Sequence, residues 1–282
     1  MITLPRWPFS LALPLLPHLL GCATVSFKPD ATSGFVLRES AGHRHYVYLP
    51  AHWQSGEKLP VIVWLHGGGE RGQDPVAPTQ VMLGRVAWES RGQLPFIIVF
   101  PQCDSGKFWA LPEMEARIFA ALDDAVATYR GDPDRVILTG HSMGGYGSWI
   151  LGSRHPDRFA ALVPISGGIK PPGGIRLPAG AKVAADPEGE AISAIGRLPV
   201  WIFHGAGDWL VPVELGRRLA QRLDFAGGDV RYTEYPEIGH GADDRAFREA
   251  ELFPWLAQQR RRPRPAATDS PAATLNPPTK NP

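Results

Sequence analysis

The pentapeptide from Gly140 to Gly144 (GHSMG) places Ser142 between two glycines, directly after the short apolar run Arg135–Thr139. A helical pattern follows it. A serine on such a tight strand-to-helix turn has strained backbone angles, and the flanking glycines let the chain turn back closely. An isolated match to G-x-S-x-G also occurs as a simple glycine-rich turn, but the flanking strand and helix favour a nucleophile. We therefore expect Ser142 to present a reactive hydroxyl at the carboxyl end of a sheet.

Asp208 and His240 follow Ser142 in the chain order that hydrolases with this serine turn use. Asp208 comes just after the apolar run Val200–Phe203, and its alternative role is to cap a helix that begins at Pro212. Nine histidines compete for the role of base, and His240 is the one on a loop after the last predicted strand. The alternative is that His240 is a plain loop residue and another group is the base.

The glycine-rich segment from His66 to Gly69 follows the apolar run Pro60–Leu65. In hydrolases of this kind, one backbone N–H from this loop and one from the residue after the nucleophile stabilise the negative oxygen of the tetrahedral intermediate. We expect the amides of Gly68 and Met143 to be these two donors. The alternative is that the glycines form only a tight turn.

Together these groups predict acyl transfer to water. Asp208 would hold the ring of His240 in one tautomer, His240 would take the proton of Ser142, and the serine would attack an ester carbonyl to form an acyl-enzyme. One alternative is a serine peptidase with the same three residues, although a chain of 282 residues leaves little room for a peptide-holding domain. The other is a non-catalytic binding lipoprotein, a class that usually lacks the nucleophile or the histidine.

The elements that must position these residues alternate between strand and helix. Short apolar runs bounded by Gly or Pro are typical of buried parallel strands, and helical periodicity fills the gaps between them. This alternation predicts an α/β-hydrolase fold with an eight-stranded, mostly parallel sheet and helices on both faces. The predicted strands are Ser33–Arg38 and Arg44–Leu49, as a hairpin, then Pro60–Leu65, Phe96–Phe100, Arg135–Thr139, Ala160–Ile165, Val200–Phe203 and Val230–Tyr235. The predicted helices are Ala116–Tyr129, Val213–Leu223 and Arg245–Gln259.

From about Tyr48 to Trp255 the chain resembles a family of bacterial α/β hydrolases that includes predicted peptidases, phospholipase/carboxylesterases and esterase-depolymerase-like proteins. The resemblance implies a small-molecule or polymeric ester as substrate and no cofactor. It does not select a substrate, because members include short-acyl, feruloyl-type and polyester-active enzymes. The matching segments are LHGGGERG (65–72), Pro101-Gln102-Cys103 with Trp109, GHSMGGYGSW (140–149), PDRFAA (156–161), PISGG (164–168), FHG (203–205) with Asp208, YTEY (232–235) and Gly239-His240.

Two segments depart from the family pattern. Asp243 and Asp244 stand near the position where a typical member has Trp or Tyr after the catalytic histidine. The segment 170–199 is long and rich in Gly, Pro and Ala, at the place where this fold usually carries a lid. We expect a lid insertion there, and the alternative is a disordered surface insertion.

Four residues beside the predicted oxyanion loop and nucleophile are candidates to line the substrate pocket. They are Gly69, Glu70, Trp109 and His141. Two of them also have a structural interpretation. Glu70 would brace the oxyanion loop, and Trp109 would pack beneath it.

Residues 1–22 predict a signal peptide, because Arg6 precedes an apolar stretch that is short and interrupted by prolines. The stretch ends in LLGC, which resembles the bacterial lipobox, where the cysteine is lipidated and becomes the new N-terminus. We therefore expect export and membrane attachment through a lipid on Cys22, on the periplasmic or cell-surface side. The alternatives are a secreted protein and a cytosolic enzyme with an uncleaved hydrophobic N-terminus.

The remaining chain divides into a linker at 23–32, a catalytic domain at 33–261 and a tail at 262–282. The tail is rich in Pro and Ala, and we expect it to be disordered because it has few large apolar residues to bury. The formal net charge of +1 gives no reason to expect nucleic acid as a partner. The two cysteines form no C-x-x-C motif, and no His/Cys cluster predicts a metal site.

Overall fold

A computed structural model describes residues 34–51, 53, 58–90, 92–170 and 185–261 of the chain. The predicted signal peptide with Cys22, the predicted linker and the predicted tail lie outside the described residues, as do residues 171–184 of the predicted lid. Within the described part, no helix is both long and apolar enough to span a bilayer.

The described residues form one eight-stranded sheet with the strand order β1-β2-β4-β3-β5-β6-β7-β8. The first two strands form an antiparallel hairpin, β2 runs antiparallel to β4, and the remaining neighbours are parallel. The predicted eight-stranded, mostly parallel sheet is therefore confirmed. The strands are β1 (Phe35–Ser40), β2 (His43–Tyr48), β3 (Leu59–Leu65), β4 (Ile97–Phe100), β5 (Gly131–His141), β6 (Ala161–Ile165), β7 (Val200–Gly205) and β8 (Val230–Tyr235).

Helices cover both faces of the sheet, so the central strands β3, β4 and β6 are buried along their whole length. One face packs against α2, α3, α4 and α5 through residues such as Ile118, Trp149, Ile192 and Leu219. The opposite face packs against α1, α6 and α7. The helices are α1 (Met82–Glu89), α2 (Pro112–Tyr129), α3 (Met143–Arg154), α4 (Pro187–Ile195), α5 (Val213–Phe225), α6 (Ala242–Ala246) and α7 (Leu252–Gln258).

The single helix predicted over Arg245–Gln259 is wrong, because the chain forms two short helices, α6 and α7, in this region. The break has a local cause in Pro254. A proline lacks a backbone N–H and clashes with the preceding turn, so it is tolerated only near the start of a helix. With α7 beginning at Leu252, Pro254 falls in the first turn.

The described part of the predicted lid belongs to the core. Asp186 caps α4 by accepting a hydrogen bond from the Gly189 amide, and Ala191, Ile192 and Ile195 of this helix are buried. Helix α4 contacts α3 and α5. The lid prediction is therefore wrong for this second half of the segment, which is part of the helix layer on one face of the sheet.

Candidate active site

The strand β5 delivers Ser142 to the carboxyl edge of the sheet at the turn into α3. Ser142 has φ 55° and ψ −115°, a conformation that a residue with a Cβ rarely adopts. Its amide donates a hydrogen bond to the carbonyl of Ile165 on the neighbouring strand β6, at 3.0 Å. The strained serine is therefore held by main-chain contacts on the sheet side.

Gly144, two residues after the serine, allows the close approach that this turn needs. A Cβ built on Gly144 would lie 1.8 Å from the main-chain oxygen of Leu65, at the end of β3. A Cβ on Gly140 would lie 2.5 Å from the carbonyl oxygen of Gly144. Backbone atoms cannot give way by that much, so the two glycines of the G-x-S-x-G pattern are sterically required.

The structure brings the three predicted catalytic residues into one hydrogen-bonded line. His240 Nε2 lies 2.8 Å from Ser142 Oγ, and His240 Nδ1 lies 2.9 Å from Asp208 Oδ2. An ionised carboxylate can only accept, so Nδ1 carries the proton and Nε2 is free to accept from the serine hydroxyl. This is the proton arrangement that general-base activation of a serine requires.

Main-chain amides of the loop after β7 hold the Asp208 carboxylate. Its Oδ1 accepts hydrogen bonds from the amides of Leu210 and Val211, at 3.0 and 2.9 Å. Burial alone would raise the pKa of Asp208, but the bonds from Val211 and His240 outweigh it and hold the pKa below its ordinary value. The helix-cap alternative is not what the structure shows, because Pro212 occupies the cap position of α5.

In the loop after β3, the buried His66 orients the peptide that carries the predicted oxyanion amide, the N–H of Gly68. His66 Nε2 accepts a hydrogen bond from the Cys103 amide at 3.1 Å, so the ring proton is on Nδ1, which donates to the Gly67 carbonyl at 2.7 Å. Burial lowers the pKa of His66 to about 4, so the ring is neutral. In a trans peptide the C=O and N–H point in opposite directions, so the Gly68 N–H points away from the ring.

The second predicted donor is the amide of Met143, the first residue of α3. The first amides of a helix have no partner within the helix and carry its positive dipole end. They can bind a negative oxygen without rearrangement. Gly68 and Met143 therefore remain the predicted oxyanion donors.

Two of the four predicted pocket residues are buried and do not line a pocket. Trp109 is fully buried, its Nε1 donates to the His66 carbonyl at 2.9 Å, and its ring packs edge-on against the His66 ring. This corrects the pocket assignment in favour of packing beneath the oxyanion loop. His141 is likewise buried, and its Nε2 donates to the main-chain oxygen of His240 at 2.6 Å. The pocket assignment of His141 is therefore corrected to a contact with the His240 loop.

The other two predicted pocket residues lie on the short 3-10 turn that follows Gly67. Gly69 is exposed, and Glu70 is half-buried with its Oε2 4.0 Å from His66 Nδ1. The Gln102 side chain donates to the Glu70 carbonyl at 2.9 Å and so ties this turn to the loop after β4. Both residues stay candidates for the pocket.

Several residues that support the site were not predicted from the sequence. His66 and Gln102 hold the oxyanion loop, and His204 Nε2 donates to the Val211 carbonyl beneath Asp208 at 2.9 Å. All three fall within segments on which the family resemblance rests. Their contacts, however, join loops that are far apart in the chain. Within the described residues, His, Cys, Asp and Glu side chains form no group of three suited to a metal ion.

Comparison with known proteins places the chain among hydrolases. The Esterase family, described as "Putative esterase", matches residues 42–249. Acyl-protein thioesterase 1 of Gibberella zeae is 31% identical over 121 residues, which are 43% of this chain and 47% of that protein. A protein of Arthroderma benhamiae named "Uncharacterized secreted protein" is 28% identical over 217 residues, 68% of this chain and 22% of its own length. The chain thus spans less than half the length of either relative.

A solved structure shows the same architecture. The crystal structure of a thermostable esterase aligns with a TM-score of 0.67 and 28% sequence identity, over 82% of this chain and 64% of that one. Together with the strand order and the helices on both faces, this confirms the predicted α/β-hydrolase fold.

Proposed function

Because the chain belongs to the Esterase family, we propose that it is a serine hydrolase that cleaves carboxylic esters through an acyl-enzyme. The observation that carries the proposal is the continuous line of hydrogen bonds from Ser142 Oγ through the His240 ring to Asp208. The serine at one end of this line stands on a strained turn at the carboxyl edge of the sheet, where open α/β sheets bind ligands.

The proposed first step is attack of the Ser142 oxygen on the ester carbonyl while His240 Nε2 takes the hydroxyl proton. Asp208 keeps the ring oriented and stabilises the imidazolium that forms. The amides of Gly68 and Met143 stabilise the oxygen that becomes negative in the tetrahedral intermediate. His240 then gives its proton to the leaving alcohol, and Ser142 retains the acyl group.

The second step releases the acid. Water gives a proton to His240 and attacks the acyl carbonyl, and collapse of the second tetrahedral intermediate returns the proton to the Ser142 oxygen. The same two amides stabilise both intermediates. At the end of the cycle Ser142 and His240 have their starting protonation states. The net reaction is ester plus water to acid plus alcohol.

The proposed substrates are small-molecule or polymeric esters with an apolar part. Trp209 and Leu210 directly follow Asp208 and are 80% and 53% exposed, so the rim on this side of the site offers apolar surface. Exposed large apolar side chains beside a catalytic group are suited to binding an acyl chain or a polymer. The relatives named as an esterase and a thioesterase also fit acyl transfer to water.

The test compares hydrolysis of p-nitrophenyl acetate, butyrate and longer acyl esters by the wild type and by Ser142→Ala. We expect measurable ester turnover that Ser142→Ala abolishes. Ser153→Ala is a matched control, since the Ser153 hydroxyl donates to the Ile150 carbonyl on its own helix, and it should keep the activity. Activity that persists in Ser142→Ala would refute the nucleophile, and faster cleavage of an aminoacyl p-nitroanilide would favour a peptidase.

We also propose that the protein is exported and attached to a membrane by a lipid on Cys22. The apolar segment that ends in LLGC supports this, and the relative named as a secreted protein fits export. Radiolabelled palmitate fed to the expressing cells should label the wild type and not Cys22→Ala. Label that persists in Cys22→Ala would rule out lipidation at this residue, and a protein that stays in the cytosol would rule out export.

A further inference from the structure

A second Asp–His pair lies beside the proposed catalytic one and takes no part in the mechanism above. His141 directly precedes Ser142, and Asp243 follows His240 by three residues. Both side chains are buried, with exposed fractions of 5% and 1%. His141 Nδ1 lies 3.7 Å from Asp243 Oδ2, and the rings of His141 and His240 lie 4.7 Å apart. The His141 ring of this pair therefore packs directly against the imidazole of His240.

The hydrogen bonds of this pair determine where its protons belong. The His240 carbonyl can only accept, so His141 Nε2 carries a proton and donates across 2.6 Å. A neutral His141 ring then has a lone pair on Nδ1, which can accept a hydrogen bond. Asp243 Oδ2 is buried and has no hydrogen-bond partner within the described structure. The 3.7 Å between this oxygen and His141 Nδ1 is slightly longer than a hydrogen bond, and a small movement would let a protonated carboxyl at this oxygen donate to the Nδ1 lone pair.

The surroundings favour this neutral arrangement. Burial raises the pKa of Asp243 to about 7, and burial lowers the pKa of His141 to about 4. Hydrogen bonds from the amides of Asp243 and Asp244 and the charge of His240 lower the pKa of Asp243, and the charge of Asp244 raises it, but burial is the largest effect. For His141, burial outweighs the hydrogen bond to the His240 carbonyl and the charges of Glu70 and Asp208, which raise the pKa, and His240 lowers it further.

The elements packed against α6 add little charge near Asp243. Strand β6 has no titratable side chain. On β7, His204 is hydrogen-bonded to the Val211 carbonyl. On α1, Arg85 and Glu89 are exposed at the surface. The neighbours of Asp243 on the same helix, Ala242 and Ala246, belong to the apolar core on that face.

We propose that His141 and Asp243 are positioning residues that hold the loop carrying His240 by its main chain. His141 fixes the carbonyl of His240, and Asp243 in its protonated form fixes the His141 ring. This inference rests on the proposed function of His240 as the base. The catalytic histidine is then held at two points, by Asp208 through its ring and by His141 through its backbone.

Ionisation of Asp243 would disturb this arrangement. A buried carboxylate would face the Nδ1 lone pair of His141, and the two would repel each other instead of sharing a proton. The proposal therefore includes a loss of activity toward alkaline pH that is due to Asp243. Asp243 also lies at one of the two positions where this chain departs from the pattern of the family it resembles.

The experiment measures kcat and KM for p-nitrophenyl butyrate from pH 5.5 to 9 in the wild type and four variants. Asp243→Asn keeps the shape and supplies an N–H donor that cannot ionise, while Asp244→Asn is a matched control that removes the same charge from the exposed neighbour. His141→Gln keeps an N–H donor, and His141→Leu removes it. The rate of Ser142 labelling by a fluorophosphonate is measured at each pH as a readout that needs no ester substrate.

We expect kcat and the labelling rate of the wild type and of Asp244→Asn to fall above about pH 7, and those of Asp243→Asn to stay level. His141→Leu should lower kcat about 10- to 100-fold with KM within about twofold, because small displacements of a catalytic group have effects of this size. His141→Gln should recover most of that loss. Thermal melts identify any variant that fails to fold.

An alkaline fall that persists in Asp243→Asn, or equal rates in His141→Leu and His141→Gln, would overturn the inference while leaving the ester hydrolase intact. A wild type that neither hydrolyses esters nor reacts with the probe would instead overturn the proposed function. In that case, ¹⁵N spectra of the imidazoles still test the proposed protonation of His141 and Asp243. A His141 ring that is not the neutral Nε2–H tautomer at pH 6 would refute it.

Discussion

The imidazole of His66 donates a hydrogen bond from Nδ1 to the carbonyl of Gly67, its neighbour in the chain, across 2.7 Å. The Cys103 amide fixes the tautomer from the other side of the ring. The peptide between Gly67 and Gly68 is therefore oriented by a buried side chain that never reaches the substrate. Since that peptide carries the proposed oxyanion donor, its orientation should control the rate of the chemical step.

Replacing His66 by leucine should lower kcat by about 10²- to 10³-fold, the usual effect of losing one oxyanion donor. KM should change little, because the negative oxygen exists only in the transition state and the intermediate. His66→Asn, whose amide can take the place of the Nδ1 donor, should retain kcat within about tenfold. Steady-state kinetics on p-nitrophenyl butyrate provides the measurement. Equal kcat values for the two variants would show that the Gly67 hydrogen bond is unimportant for catalysis.

Asp208→Asn should lower kcat by about 10³- to 10⁴-fold while the protein remains folded. The asparagine oxygen at the Oδ1 position can still accept from the amides of Leu210 and Val211 and lies 3.0 Å from His240 Nδ1. The NH₂ group at the Oδ2 position, however, would be 2.9 Å from Nδ1 and would donate to it, which favours a ring without a proton on Nδ1. The histidine would then adopt the wrong tautomer for a general base. Kinetics and a thermal melt check both parts, and Asp224→Asn on the exposed face of α5 is the charge-matched control. A loss of less than tenfold would mean that Asp208 does not orient the base.

The fold could be predicted because each strand carries a local pattern. The bounds of β8 are the predicted ones, Val230–Tyr235, since a run of strand-forming residues ends at Pro236. The strand β5 begins at Gly131, four residues before its predicted start, and it includes Pro133, although proline is unusual inside a strand. The register between β3 and β5 shifts at this point, and such an irregularity is where a strand tolerates proline.

The candidate triad could also be predicted, because each of its residues lies a few positions beyond a recognisable strand. The contacts that support the triad could not, because they join distant parts of the chain. His141 donates to the carbonyl of His240, which is 99 residues away in the sequence, and His66 accepts from the amide of Cys103, which is 37 residues away. Periodicity carries no information about which loops meet at the edge of a sheet, or about which ring nitrogen holds a proton.

Gly144→Ala should destabilise the protein by about 3 kcal/mol or more, or prevent folding. The added methyl group would overlap the main-chain oxygen of Leu65, and β3 is buried on both sides and cannot move away. Urea unfolding gives the free energy of unfolding. Gly69→Ala is the control, because a Cβ there meets nothing within 4 Å, and its stability should stay within about 0.5 kcal/mol of the wild type. A Gly144→Ala protein of wild-type stability would contradict the close approach of the serine turn to β3.

The stability of the protein should depend on pH through Asp243. Its pKa is raised from 3.8 to about 7 in the folded state, so the folded protein holds a proton that the unfolded chain has already lost. The contribution of Asp243 is therefore fully present below about pH 4 and is lost progressively as the pH rises to about 7. Asp243→Asn lacks this dependence. Its free energy of unfolding relative to the wild type should increase by about 2 kcal/mol between pH 5.5 and pH 8.5.

Urea unfolding of the wild type, Asp243→Asn and Asp244→Asn at both pH values tests this directly. Asp244 is exposed and pairs with Arg248 at the surface, so its replacement should give nearly the same difference from the wild type at the two pH values. A constant difference for Asp243→Asn would mean that the carboxyl ionises in the folded protein as it does in water. That result would also remove the physical basis for an alkaline loss of activity through His141, because a carboxyl already ionised at pH 5.5 cannot donate a proton to the ring.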